Sequence, residues 1–75
     1  MDHDVELDTR GLLCPLPVLK AAKRLRGMEA GHVLRLLTDD PAAVIDVPHY
    51  CAESGNLLRE RGEDGGAQVW WVERV

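Results

Sequence analysis

Aromatic side chains are scarce in this sequence, which has no phenylalanine and only Tyr50, Trp70 and Trp71 among its 75 residues. A core with so few rings must consist mainly of Leu, Val, Ile and Ala side chains. A chain of this length can bury one small core, which excludes a protein of several domains. We therefore expect a single domain over residues 1–75, with modest stability.

The sequence also lacks an excess of basic residues, a long apolar run and more than two cysteines. The formal net charge of -4 argues against a dedicated nucleic-acid binder, and we expect no direct DNA binding. The longest apolar run, residues 12–19, contains two prolines and is far shorter than the ~18 residues of a membrane span, so we expect no membrane partner. The first ten residues lack the features of a secretory signal, so we expect a cytoplasmic protein. With only Cys14 and Cys51, a disulfide framework is not expected.

The hydrophobic pattern predicts six elements, with no repeat and no linker. Acidic and apolar residues alternate in the first element, as in a half-buried strand, and apolar residues recur at helical spacing in the second. Pro48 predicts a kinked or two-piece second helix. The predicted elements are a strand over Val5–Asp8, a helix over Pro15–Met28 ending at Gly27 or Gly31, a strand over Val33–Thr38, a helix from about Pro41 to Ser54 ending at Gly55, and strands over Leu57–Arg61 and Gln68–Val72 joined by a turn over residues 62–66.

This order predicts a fold of the α/β type, an α+β two-layer sandwich with both helices on one face of a four-stranded mixed sheet. Trp70 and Trp71 are neighbours in the last strand, so they point to opposite faces, and at least one must leave the helix-covered core. We expect one exposed Trp, which either lies over the open sheet face or sheet edge or anchors a partner.

Cys14 stands between a turn and the first predicted helix, in the stretch Cys14-Pro15-Leu16-Pro17. At the N-cap, the thiol would lie near the positive end of the helix dipole, which would lower its pKa. The two prolines have no N–H, which leaves the Leu16 N–H as the local donor to sulfur. Because the thiolate attacks sulfur electrophiles, this arrangement predicts a nucleophile. The alternative is a small buried apolar side chain before a helix.

The basic residues around Cys14 occur without an intervening acid; they are Arg10, Lys20, Lys23, Arg24 and Arg26. They predict a positive field that lowers the thiol pKa and attracts an acidic partner; the alternative is a solvated helix face. Arg10 is expected nearest the sulfur because the turn through Gly11 returns the chain toward Cys14, whereas an ion pair with Asp8 would pin it structurally. Lys20, Lys23 and Arg24 are expected to bind partners.

The other chemistry-bearing residues predict no second site. Cys51 is expected in the core, since a resolving role would require its Cα within about 7 Å of the Cys14 Cα. His49 and Cys51 supply only two of the four ligands of a structural zinc site, so we expect no metal. The glycine-rich turn does not open a helix and predicts no phosphate-binding loop.

Several stretches together carry a family resemblance; they are Leu7-Asp8-Thr9-Arg10-Gly11-Leu12-Leu13-Cys14-Pro15-Leu16-Pro17, Lys20, Asp39-Asp40-Pro41-Ala42, Asp46-Val47-Pro48 and Cys51. Over nearly its whole length the chain resembles the TusA/SirA/YedF family of small sulfur-carrier proteins. The resemblance implies that Cys14 accepts sulfane sulfur as a persulfide, usually from a pyridoxal-phosphate-dependent cysteine desulfurase, and passes it to an acceptor protein. It implies a sulfurtransferase-type relay between enzymes, with no cofactor of its own. The residues that the motif places around the cysteine are Arg10, Gly11, Pro15, Leu16 and Pro17.

The family serves several destinations, namely tRNA thiolation, sulfur oxidation, molybdenum-cofactor biosynthesis and selenium metabolism, and fold alone does not choose between them. Leu16 occupies the position where the tRNA-thiolation type most often has an acidic residue, so the chain departs from that type. Two other hypotheses stay open. One is a non-catalytic protein- or RNA-binding or regulatory module in which Cys14 is structural, and the other is a redox switch between Cys14 and Cys51.

Overall fold

Four strands and two helices follow each other in the predicted order in the computed structural model, which describes residues 1–75. The elements are β1 (Val5–Asp8), α1 (Leu16–Arg26), β2 (Val33–Thr38), α2 (Ala43–Ser54), β3 (Leu57–Asp64) and β4 (Ala67–Glu73). The bounds of β1 and β2 agree with the prediction, because the alternating or apolar runs that define them are local signals. Neither helix has the length and apolar character needed to cross a membrane.

The four strands form one mixed sheet in the order β1-β2-β4-β3. β1 and β2 are parallel, whereas β4 is antiparallel to both of its neighbours. Consequently β2 and β3 run in the same direction, and α2 connects them across the intervening strand β4, while α1 connects the adjacent strands β1 and β2. The predicted fold class is confirmed.

The core lies between the sheet and the two helices, which share one face. Its buried side chains are Ala21, Leu25, Met28, Leu34, Leu36, Ala43, Val47, Cys51, Trp70 and Val72. The predicted burial of Cys51 is therefore confirmed. Trp70 is 0% exposed, and its indole N–H donates to Thr38 Oγ1 at 2.9 Å. The Thr38 hydroxyl in turn donates to Gln68 Oε1 at 2.6 Å, so this buried polar chain is satisfied.

Trp71 is the tryptophan that leaves the helix-covered core. It is half-buried, and the Arg35 guanidinium lies 5.6 Å from its ring centroid. Arg35 itself pairs with Glu6 and Asp64 on the same open face. The expectation that one Trp leaves the helix-covered core is therefore confirmed, and Trp71 lies over the open sheet face; it is half-buried because a cation held by two carboxylates covers the ring.

Both helices begin later than predicted. In α1 the N-cap is Pro15, so Cys14 lies one residue outside the cap, and the helix ends at the predicted Gly27. α2 is one continuous helix with Pro48 inside it, so the two-piece alternative is wrong. It begins at Ala43 because the preceding residues form a tighter turn, in which the Ala43 N–H donates to the Asp40 carbonyl three residues earlier.

The β3–β4 hairpin has a shorter turn than predicted. Residues 62–64 continue β3, and only Gly65 and Gly66 connect the strands, with φ angles of 58° and 85°. Positive φ at both central residues is typical of the type I′ turn that joins twisted strands. Gly62 pairs with Val69 inside the sheet, so the expected loop over residues 62–66 is corrected.

Candidate active site around Cys14

Cys14 is exposed in the loop between β1 and α1. The Leu16 N–H donates to the Leu13 carbonyl at 2.9 Å and is not the predicted donor to sulfur. This turn places the cap at Pro15, which corrects the N-cap assignment of Cys14. The thiol is therefore displaced from the first turn of α1, where a helix dipole acts most strongly.

Buried Thr9 fixes the start of this loop. Its N–H and its hydroxyl both donate to the Leu37 carbonyl, at 2.9 Å and 2.6 Å. These two bonds continue the parallel pairing of β1 with β2 one residue beyond the end of β1. The chain therefore leaves the sheet at a defined point before it turns toward Cys14.

Two adjacent aspartates after β2 hold the rest of the loop. Gly11 N–H donates to Asp39 Oδ1 at 2.9 Å, and Cys14 N–H donates to Asp40 Oδ2 at 2.6 Å. The other Asp40 oxygen accepts the Ala42 N–H at 3.1 Å, before α2. One carboxylate thus joins the cysteine loop to the start of α2. The sequence placed Asp40 only within the family motif and gave it no contact with Cys14; the signal that could have shown this contact is that β1 and β2, as parallel strands, end at the same sheet edge.

Cys14 lines a cavity of about 240 Å³ formed by the beginning of α1 and by α2. The other lining residues are Pro15, Val18, Asp46, His49, Tyr50 and Glu53. His49 Nε2 lies 2.7 Å from Glu53 Oε1, an ion pair when the imidazole is protonated. No lysine or arginine lines this cavity. The exposed thiol thus faces acidic and histidine side chains.

The carboxylates around Cys14 raise its pKa. The largest cause is hydrogen bonding of the thiol to Asp46, followed by partial desolvation and by the negative charges of Asp46 and Asp40. The predicted lowering of the pKa is therefore wrong, because the nearest charges are negative. Cys51 also has a raised pKa, caused by its burial in the core.

The description of the matching family model is Sulfurtransferase TusA, and the match spans residues 5–74 of this chain. The chain belongs to the TusA family. Its relatives include the sulfur carrier protein TusA of Allochromatium vinosum, 46% identical over 87% of this chain and 86% of that protein. The sulfur carrier protein TusA of Pseudomonas entomophila is 36% identical over 96% of this chain and 90% of that protein. The family resemblance inferred from the sequence is confirmed.

A solved structure supports the same fold for this TusA-family chain. The crystal structure of the SirA-like protein of Desulfitobacterium hafniense superposes with a TM-score of 0.82 at 26% identity. The superposition covers 93% of this chain and 96% of that one. The strand order and the helix layer described above are thus shared with a SirA-like protein.

The basic residues that the sequence predicted around Cys14 do not line its cavity in this TusA-family chain. Arg10 donates two side-chain hydrogen bonds to Asp8, at 2.9 Å and 2.7 Å. The structure therefore agrees with the alternative in which an ion pair with Asp8 holds Arg10 in place. Lys20, Lys23 and Arg24 together line a different cavity, of about 350 Å³, with Leu7 and Gly27. The structure therefore brings the three expected partner-binding residues together, but neither they nor Arg10 line the Cys14 cavity.

Arg10→Gln is expected to move the pKa of Asp8 from about 2 part of the way toward its ordinary value of 3.8, because it removes the side-chain hydrogen bonds and the charge of Arg10 that favour the carboxylate and leaves the backbone N–H bond in place. A lowered folded-state pKa stabilises the protein above about pH 4, and this contribution is lost as the pH falls toward 2. NMR titration of the Asp8 carboxyl carbon measures the change. Arg59→Gln, which removes the partner of Glu73 instead, serves as control. An Asp8 pKa that did not change in Arg10→Gln would contradict the ion pair.

Proposed function

We propose that this chain, acting as one domain over residues 1–75, is a sulfur carrier that accepts sulfane sulfur as a persulfide on Cys14 and relays it to an acceptor protein. The observation that carries the proposal is an exposed cysteine beside a cavity, in the Cys14-Pro15-Leu16-Pro17 motif of a TusA-family chain. Relatives that match almost all of the chain are named sulfur carrier proteins. The other cysteine, Cys51, is buried and is not accessible for a relay between proteins.

The transfer requires two displacement steps. Cys14 sulfur attacks the terminal sulfur of a donor persulfide, the donor S–S bond breaks, and the donor leaves as a thiolate that takes up a proton. An acceptor thiolate then attacks the terminal sulfur on Cys14, which releases the Cys14 thiolate. Sulfur is moved without net oxidation, so the carrier needs no cofactor. The donor is a cysteine desulfurase or another persulfide donor, and the acceptor belongs to tRNA thiolation, sulfur oxidation or cofactor biosynthesis.

The surface around Cys14 suits a protein partner. Leu13 is 69% exposed and Leu16 is 44% exposed, and both flank the cysteine in sequence. Apolar side chains at this position offer a contact area that a partner can bury around the reacting sulfur. Of the motif residues, Pro15 lines the cavity with Cys14, Gly11, Leu16 and Pro17 belong to the loop and the start of α1 beside it, and Arg10 is held by Asp8. Lys20, Lys23 and Arg24 form a separate basic contact for partners.

Intact-mass spectrometry after incubation with a cysteine desulfurase and cysteine tests the proposal. Wild type and Cys51→Ser are expected to gain a single sulfur atom, which reductant removes, whereas Cys14→Ser is expected to gain none. If several persulfide donors gave no gain on Cys14, the carrier function would be wrong and a non-catalytic interaction module would take its place. If oxidation instead produced a Cys14–Cys51 disulfide that Cys51→Ser prevented, the redox switch would be favoured.

A further inference from the structure

Asp46 is the carboxylate in the Cys14 cavity that is free to exchange a proton. Its side chain is half-buried, lines the cavity together with Cys14, and forms no hydrogen bond or ion pair with the other side chains or backbone groups of the protein. Asp40, in contrast, accepts two backbone N–H groups with its two oxygens. Glu53 is exposed and lies within ion-pair distance of His49. Asp46 therefore differs from the other two carboxylates near the thiol.

The charges around Cys14 disfavour the thiolate, so a proton acceptor in the protein would assist its attack on sulfur. The groups that face the thiol are Asp40 from the loop after β2 and Asp46, His49, Tyr50 and Glu53 from α2. No lysine or arginine among them compensates a thiolate, so the resting carrier holds a thiol. Because only the thiolate is strongly nucleophilic, the thiol proton must be removed before or during the attack.

We propose that Asp46 is the proton acceptor of Cys14 during sulfur transfer, a role that rests on the proposed carrier function. In the resting protein its carboxylate accepts the hydrogen bond of the thiol. As Cys14 sulfur bonds to the terminal sulfur of the donor persulfide, Asp46 takes the thiol proton and the donor S–S bond breaks. Asp46 then returns the proton to the departing donor thiolate. Donor persulfide and carrier thiol thus become donor thiol and carrier persulfide, and no oxidant or reductant is consumed.

Alkylation of Cys14 tests the contact independently of sulfur transfer. In a Cys51→Ser background, the rate of reaction with iodoacetamide is measured against pH for the parent and for Asp46→Asn. The amide removes the negative charge, so the profile is expected to shift to lower pH. Glu29→Gln, which removes a carboxylate from the exposed turn after α1, controls for net charge. An unshifted profile in Asp46→Asn would overturn the assignment.

Sulfur loading then tests the proton transfer. Glutathione persulfide is the donor, because a small molecule avoids effects on protein docking, and intact mass is followed with time in the same variants. A pKa lower by one unit reduces the nucleophilicity of a thiolate only about threefold, whereas loss of a general base costs roughly a hundredfold. The loading rate of each variant is divided by its thiolate fraction, which the alkylation profile gives. We expect this normalised rate to be about tenfold or more lower in Asp46→Asn than in its parent.

The loading rates also separate the alternatives. If loading in Asp46→Asn rose in proportion to its thiolate fraction, Asp46 would only keep the thiol protonated, and the proton-acceptor role would be wrong. If the loading rate divided by the thiolate fraction fell in His49→Gln but not in Asp46→Asn, the base would be His49 instead. A parent protein that took up no sulfur would overturn the proposed function itself, and the alkylation profiles distinguish that result from a failure of the Asp46 contact.

Discussion

Trp70→Ala is expected to remove about 3–5 kcal/mol from the free energy of unfolding. Trp70 is 0% exposed and is the largest side chain in the core between the sheet and the two helices. Its removal leaves a cavity and also deprives Thr38 of its indole hydrogen-bond donor. Small native domains are stable by only ~5–15 kcal/mol, so a large share of the stability is lost. Urea unfolding followed by far-ultraviolet circular dichroism measures the change without depending on the removed fluorophore.

Trp71→Ala is the matched control for this prediction. Trp71 occupies the next position in β4 but lies on the open face, half-buried beneath Arg35. Its indole Nε1 has no hydrogen-bond partner, so no such bond is broken. We expect a loss of about 1–2 kcal/mol from reduced burial and the lost cation–π contact. Equal losses in the two variants would contradict the assignment of the main core to the helix-covered face.

Asp40→Ala is expected to act on both stability and the reactive cysteine. It removes the acceptor of the Cys14 N–H at 2.6 Å and of the Ala42 N–H at 3.1 Å. Loss of a charged acceptor that holds two backbone N–H groups costs about 1–3 kcal/mol. Because the negative charge of Asp40 raises the pKa of Cys14, the variant is also expected to have a lower thiol pKa. Urea unfolding and the pH profile of iodoacetamide alkylation measure the two effects.

Asp39→Ala provides the comparison, because it removes a neighbouring carboxylate that binds only the Gly11 N–H in an exposed turn. We expect a smaller loss of stability and no comparable shift in the alkylation profile, since Asp39 does not contribute to the pKa of Cys14. A Cys14 profile that Asp40→Ala left unchanged would contradict the proximity of this carboxylate to the thiol. Equal destabilisation by the two variants would show that the Asp40 link between the Cys14 loop and the start of α2 contributes no more stability than the single Asp39 hydrogen bond.

The order of the elements and the fold class could be predicted because they depend on local patterns. Alternation defined β1, the apolar run defined β2, and the glycine at position 55 marked the end of α2; in the structure Gly55 has the φ of 82° that favours glycine at a helix end. The hairpin could not be delimited in the same way. Gly62 reads as a turn residue in sequence, but its pairing with Val69 across the sheet keeps it in β3.

Two features of the candidate site were within reach of sequence reasoning. The Cys-Pro-Leu-Pro motif identified Cys14 as the residue of interest, and the spacing of Asp8 and Arg10 indicated their ion pair. Both depend on residues that are close together in the chain. The direction of the shift in the Cys14 pKa could not be predicted from the sequence, because the basic residues nearest in sequence do not line the cavity around the thiol.

The amino-acid sequence by itself therefore determined the family, the layered fold and the cysteine that the proposed function uses. Only the tertiary structure decided the electrostatic surroundings of that cysteine. Asp40 follows β2 and Asp46 lies on α2, and the parallel pairing of β1 with β2 together with the packing of α2 brings both to Cys14. Electrostatic effects on a thiol depend on distance in space, whereas sequence patterns report on neighbours along the chain.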